Sequence, residues 1–231
     1  MAKQFYLMPA LDTTDLVKLS SVIEKVGNHP LISGFKVGFS LGLTHGLPRA
    51  VEVIRRYSNK TIVYDHQKAA TDIPDTGKLF AQTLKAAGVN QAILFPQAGP
   101  ATLKAWAEAL READIEPIVG GLMTHPQYVV SEGGFLTDEG VVEMYRFARS
   151  VGVRRFVVPL TKPEAVERLV DQADLGGDNE FYSPGFGAQG GDASAFPRLK
   201  VHHLIVGRAL LGAPNPVEYL DKTKADLEVL S

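Results

Sequence analysis

Three stretches of this chain carry residue types that could do chemistry together. The first is Tyr64-Asp-His-Gln-Lys-Ala-Ala-Thr-Asp-Ile-Pro-Asp-Thr76, which sets Asp65, Lys68 and Asp72 within eight residues. Lys36, on an earlier apolar run, is a candidate neighbour. Alternating carboxylates and ammonium groups hold each other charged in a partly buried site. A substrate carboxylate pressed against them would be repelled, and a lysine could deliver a proton as that carboxylate leaves. The plain alternative is a solvated surface ion-pair cluster. The second stretch is Ser183-Pro-Gly-Phe-Gly-Ala-Gln-Gly-Gly-Asp192, and the third is Val206-Gly-Arg208. Glycines let backbone N–H groups converge on an anion, and arginine adds a two-pronged donor. A phosphate cradle is the chemistry that fits; a merely flexible turn is the alternative.

Other chemistries find little support. The chain has no cysteine, which removes disulfides, thiolate zinc sites and cysteine nucleophiles. Its six histidines form no His-Glu-x-x-His pattern, and no metal site is expected. His202 and His203 are adjacent, so on a strand they face opposite ways. His66 reads as a hydrogen-bonded loop residue, and His125, before Pro126, as a loop residue near the active face. Trp106 and Phe80 read as core, and Arg55, Arg56 and Lys60 as solvated helix-end charges. With 24 Lys+Arg against 26 Asp+Glu, the chain lacks the basic excess of a nucleic-acid binder.

These candidates need elements to position them. At 231 residues and 45% hydrophobic composition the chain can bury a large core. Eight short apolar runs recur: Phe5–Leu11, Ile32–Phe39, Thr61–Tyr64, Ala92–Phe95, Pro117–Met123, Phe156–Leu160, Glu180–Ser183 and Leu204–Val206. Several lack polar alternation, as strands buried on both faces do. Helical periodicity marks Thr13–Val26, Lys78–Ala87, Ala101–Ala113, a helix capped by Thr137 and stopped at Gly152, Lys162–Val170 and Pro216–Leu230. This alternation predicts an α/β fold, a single (β/α)8 TIM barrel over residues 1–231, with a doubly wound open sheet as the competing architecture. In a barrel, the strand ends bring Asp12, Lys36, Asp65, Thr124, Ser183 and Arg208 to one face, and the loops after strands seven and eight are a recurrent phosphate site. No apolar run approaches the ~20 residues of a membrane span. The opening Met1–Leu11 lacks the length of a signal sequence. A soluble, cytoplasmic protein is expected.

The motifs together are similar to those of the orotidine 5′-phosphate decarboxylase family. They are Ala-Leu-Asp12, Phe-Lys36-Val-Gly, Asp72-Ile-Pro-Asp-Thr76, Met123-Thr-His-Pro126, Pro184-Gly-Phe-Gly-Ala-Gln-Gly-Gly-Asp192 and Val-Gly-Arg208. The resemblance implies a barrel acting as a homodimer with shared active sites. It also implies a nucleotide substrate and no metal or organic cofactor. Carried over, Lys68 would protonate C6 of the pyrimidine, Asp65 would crowd the substrate carboxylate, and Lys36 would complete the charge network and reach the ribose. Asp72 would enter the partner's site, with Ile73 and Thr76 nearby. Asp12 would bind a ribose hydroxyl and Thr124, where the family usually has serine, would face the base. Pro184 opens the phosphate segment; Gln189 and Arg208 would bind the phosphate, with Gly207 offering backbone.

One departure stands out. The family pattern is Asp-x-Lys-x-x-Asp-Ile-Pro, whereas here Asp65 and Asp72 are separated by two more residues. A bulge or widened loop around Gln67–Thr71 is expected to absorb them and return Lys68 to the mouth. Two other functions fit the same motifs: a decarboxylase, synthase or epimerase of another sugar phosphate, or a non-catalytic binder of a nucleotide or sugar phosphate.

Overall fold

The computed structural model describes residues 3–66, 71–186 and 199–230. Eight parallel strands form one sheet in the order β1-β8-β7-β6-β5-β4-β3-β2. They are β1 (Gln4–Pro9), β2 (Gly34–Gly38), β3 (Thr61–Asp65), β4 (Gln91–Leu94), β5 (Glu116–Gly120), β6 (Arg155–Val157), β7 (Glu180–Pro184) and β8 (Val201–Val206). Between β1 and β2 only the isolated bridges Leu7↔Ile32 and Ala10↔Lys36 complete the ring. The result is the expected barrel rather than an open sheet.

The pleat sorts each strand's residues between two cores. Met8, Val63, Ile93, Ile118, Val157, Tyr182 and Ile205 fill the barrel interior. Their sequence neighbours, such as Leu7, Ile62, Leu94 and Leu204, pack outward against the helices. Successive side chains point to opposite faces, so both faces must be apolar when helices cover the outside. That explains the unbroken apolar runs.

The helices are α1 (Leu16–Val26), α2 (Phe39–His45), α3 (Leu47–Arg55), α4 (Gly77–Ala86), α5 (Pro100–Glu112), α6 (Asp138–Ser150), α7 (Pro163–Gln172), α8 (Arg208–Leu211) and α9 (Pro216–Glu228). Thr137 caps α6 by accepting the Gly140 N–H at 3.0 Å. Gly152 follows that helix at φ 87°, a conformation L side chains resist. Pro163 occupies the first turn of α7, where its missing N–H goes unneeded. Helices α2 and α3 went unread in the sequence because Gly38, Gly42, Gly46 and Pro48 punctuate them like a loop. No helix among the described residues is long and apolar enough to cross a membrane.

Two charges expected to be solvated are put to use instead. Lys60 donates to the carbonyls of His29, at 2.6 Å, and Ile32. Arg55 donates to Lys60 O at 2.5 Å and to Asn90 Oδ1 at 2.8 Å. Partial burial lowers the pKa of both. They serve the loops below the strands, which would otherwise leave carbonyls unsatisfied.

Candidate active site

The pleat that fills the interior also aims the charged groups. Asp65 lies two residues beyond interior Val63, and Asp12 two beyond interior Ala10. Lys36 lies between outward-packed Phe35 and Val37, so it too points inward. At the C-terminal end of the barrel, Lys36 Nζ sits 3.1 Å from Asp65 Oδ2 and 3.5 Å from Asp12 Oδ1. The Lys36 and Asp65 side chains are 5% and 1% exposed, whereas Asp12 is 41% exposed. A buried ammonium persists only when paired, and here two carboxylates flank it.

Lys36 and Asp12 open onto a cavity of about 390 Å3, within the usual range of small-molecule sites. Its floor is apolar, made by Phe95, Val157 and Ile205. Thr124 and His125 form one side; Pro184, Gly207 and Arg208 form another. Arg208 is exposed and begins α8, directly beyond β8. The cavity thus joins a cation–carboxylate cluster, an apolar floor and an arginine, a set suited to a flat polar ring linked to an anion. Among the described residues, no His, Asp and Glu groups converge to hold a metal ion.

Asp72, Ile73 and Thr76 stand apart from this cavity. Asp72 is exposed, Ile73 is 57% exposed, and Thr76 donates to Ile73 O at 2.8 Å in the 3-10 turn Pro74–Thr76. Trp106 Nε1 also donates to Ile73 O, at 3.0 Å, which anchors this turn to α5. Lys68 and Gln189 lie outside the described residues, as does most of the expected bulge at Gln67–Thr71. Its two anchors are defined. Strand β3 ends at Asp65, and Thr71 Oγ1 donates to Phe95 O at 2.8 Å. His66 turns outward, as strand alternation requires, and its Nδ1 lies 2.5 Å from Tyr64 Oη.

One residue that the sequence reading passed over supports the mouth. Lys162 Nζ donates to His125 O at 3.1 Å and pairs with Glu132, whose carboxyl that contact holds below its usual range. Lys162 thereby fastens the loop carrying Thr124 and His125 to the start of α7. A lysine at a helix N-cap works against the helix dipole. That misplacement was the available signal of another use.

A (β/α)8 barrel with a buried Lys–Asp pair and an arginine at its C-terminal mouth is a barrel of the enzyme type. The sequence profile of the Orotidine 5′-phosphate decarboxylase / HUMPS family matches residues 6–223. The chain belongs to that family. It is 31% identical over 230 residues to the orotidine 5′-phosphate decarboxylase of Methanosarcina barkeri, covering 99% of this chain and 97% of that one. The Pyrococcus abyssi enzyme of the same name is 31% identical over 212 residues, covering 90% and 92%. Among solved structures, the orotidine 5′-monophosphate decarboxylase of Methanocaldococcus jannaschii complexed with the inhibitor BMP superposes with a TM-score of 0.81 at 28% identity. It covers 96% of this chain and 98% of its own.

Proposed function

We propose that this chain decarboxylates orotidine 5′-monophosphate to UMP, working in the cytoplasm as a single barrel domain over residues 1–231. The carrying observation is the buried Lys36–Asp65 pair at the mouth of a barrel that matches the family along nearly its whole length. In the reaction the C6–carboxylate bond breaks, carbon dioxide leaves, and the electron pair left at C6 takes a proton. With no electron sink on the ring, the developing charge must be stabilised by groups already in place. Lys68 supplies that proton and its positive charge. Asp65, paired with Lys36, crowds the substrate carboxylate. Asp12 and Lys36 take the ribose and Thr124 faces the base. Arg208, Gln189 and Gly207 hold the phosphate, and binding energy gained there is realised at the transition state.

The active unit in this reading is a homodimer. Exposed Phe39 and Leu43 lie on the segment that follows β2, and exposed Ile73 and Leu79 on the segment after β3 that carries Asp72. Exposed apolar side chains on these neighbouring units suit a contact surface. Such a contact would carry Asp72 into the site of a second copy.

The test follows orotidylate absorbance and carbon dioxide release by the purified chain, with and without chelator. Turnover unaffected by chelator is expected. A folded chain that leaves orotidylate intact while converting a pentulose or hexulose phosphate would overturn the reading.

A further inference from the structure

Strands β5 and β6 stop pairing at Gly120↔Val157, just where the cavity begins. Beyond that point the backbone groups need other partners. Tyr145, on α6, provides them from outside the barrel. Its fully buried hydroxyl accepts the N–H of Gly121 at 2.9 Å and of Leu122 at 3.0 Å, and donates to Val157 O at 2.6 Å. One phenol therefore supplies three bonds where the ladder has ended. Burial raises its pKa well above the usual phenol range, so it keeps the proton it donates. The fit is close. A Cβ on Gly121 would lie 2.9 Å from Tyr145 Cε2, so only glycine lets the ring reach the strand.

Both backbone segments held in this way reach the cavity. Leu122 and Val157 line it, and Thr124 follows Leu122 by two residues. Arg208 follows β8, three strands from β5 in the ring order. We propose that Tyr145 is a positioning residue for the base-binding half of the mouth. It sets the height and direction of Leu122–Thr124 over the substrate ring while leaving the phosphate half alone. This rests on the proposed function, because it takes Thr124 to face the pyrimidine.

The experiment compares wild type, Tyr145→Phe and Gly121→Ala. Affinities for UMP and for ribose 5-phosphate are measured by calorimetry, and KM and kcat with orotidine 5′-monophosphate by assay. Tyr145→Phe keeps the ring and its packing. Gly121→Ala displaces the ring from the other side, so the two lesions are independent. Both variants should lose UMP affinity by about tenfold or more, since small misplacements of positioning groups are costly. Ribose 5-phosphate affinity should stay within about twofold, which general loosening of the fold would not spare. Amide exchange at Gly121 and Leu122 should accelerate in Tyr145→Phe. Equal losses for both ligands, or unchanged UMP affinity and KM in an active enzyme, would overturn the positioning role alone. A wild-type chain that neither binds UMP nor consumes orotidylate would overturn the proposed function and this role with it.

Discussion

The two ends of the barrel interior are both polar, and they are built differently. At the floor, Glu180 contacts Arg155 at 3.3 Å and His203 at 3.1 Å, one through each carboxylate oxygen. His203 continues to Ser33 Oγ at 2.9 Å and is stacked between Tyr6 and Tyr182. Arg155 also reaches Glu116 at 2.8 Å, and Tyr182 donates to Gln91 at 3.1 Å. These groups answer one another around the ring, and Tyr6, Ser33, Glu180 and His203 also border a cavity of about 730 Å3. At the mouth, Lys36 is held between Asp65 and Asp12, and Asp12 and Arg208 line the cavity of about 390 Å3. Both ends are therefore open, and what differs is the lining. The floor presents Glu180 and His203 already bonded to each other, whereas the mouth presents a buried ammonium, a half-exposed Asp12 and an exposed Arg208, a set that can take a charged ligand.

The sharpest way to break this contrast is to remove Lys36. Lys36→Met should lower kcat/KM for orotidylate by about 10²–10³-fold or more, the loss typical of a preorganised charged donor. It should also lower the melting temperature, because Asp65 is left buried beside a methyl group. A steady-state assay and a thermal melt check both effects. An active Lys36→Met enzyme would reduce the mouth to a second structural network.

Arg208→Ala should act on ligands alone. The side chain is exposed, so the melting temperature should hold. UMP affinity should fall by roughly 1.5–3 kcal/mol, as for a charge-assisted bond, while uridine binding stays nearly constant. Calorimetry with both ligands decides it. Equal losses would dissociate Arg208 from the phosphate.

At the floor the effects should reverse. Glu180→Gln is expected to cost about 1 kcal/mol of stability, with kcat and KM within twofold of wild type. The pH dependence follows from the pKa. The His203 hydrogen bond, then Arg155, hold the Glu180 carboxyl below its usual value. A depressed acid stabilises the fold fully above the unfolded value, near pH 4.3, and loses that contribution as pH falls through the folded one. Urea melts across this range should therefore be flatter in acid for the variant.

The smallest effect on activity belongs to His202, one residue from the floor but facing outward. It is buried beside Phe5 and Ser183, and burial pushes its pKa down to about 3. The unfolded chain takes up this proton near pH 6.5 and the folded chain does not, so stability declines as pH falls from about 6.5 toward 3. His202→Gln should lessen that decline without touching activity; urea midpoints at pH 7 and pH 5 measure it.

These two histidines show how far a linear reading reaches. Their opposite facing follows from strand alternation alone, and the structure agrees. What each meets does not follow. His203 finds Glu180 across the β7–β8 ladder and Ser33 from the loop before β2, a partner 170 residues away. That Lys36 faces opposite to Phe35 and Val37, and Asp65 opposite to Tyr64, was likewise legible from alternation, but with both faces apolar the sequence does not say which face is the interior. Helices α2 and α3 were hidden by their glycines. The apolar run Pro117–Met123 predicts a strand reaching three residues past the end of β5 at Gly120; from Gly121 the phenol of Tyr145 takes over the backbone.

Local rules therefore determined this protein's strand and helix order, which residues of a strand share a face, its caps and the residue types gathered at one barrel end. Those properties depend on periodicity and on neighbours a few residues apart. Only the tertiary structure decided that Lys36 lies between Asp12 and Asp65, that Tyr145 ends the β5–β6 ladder, and that Lys162 fastens the loop of His125. Each of these joins groups from separate βα units. Their distances are set by how eight strands close and stagger around an axis, a quantity no single segment encodes.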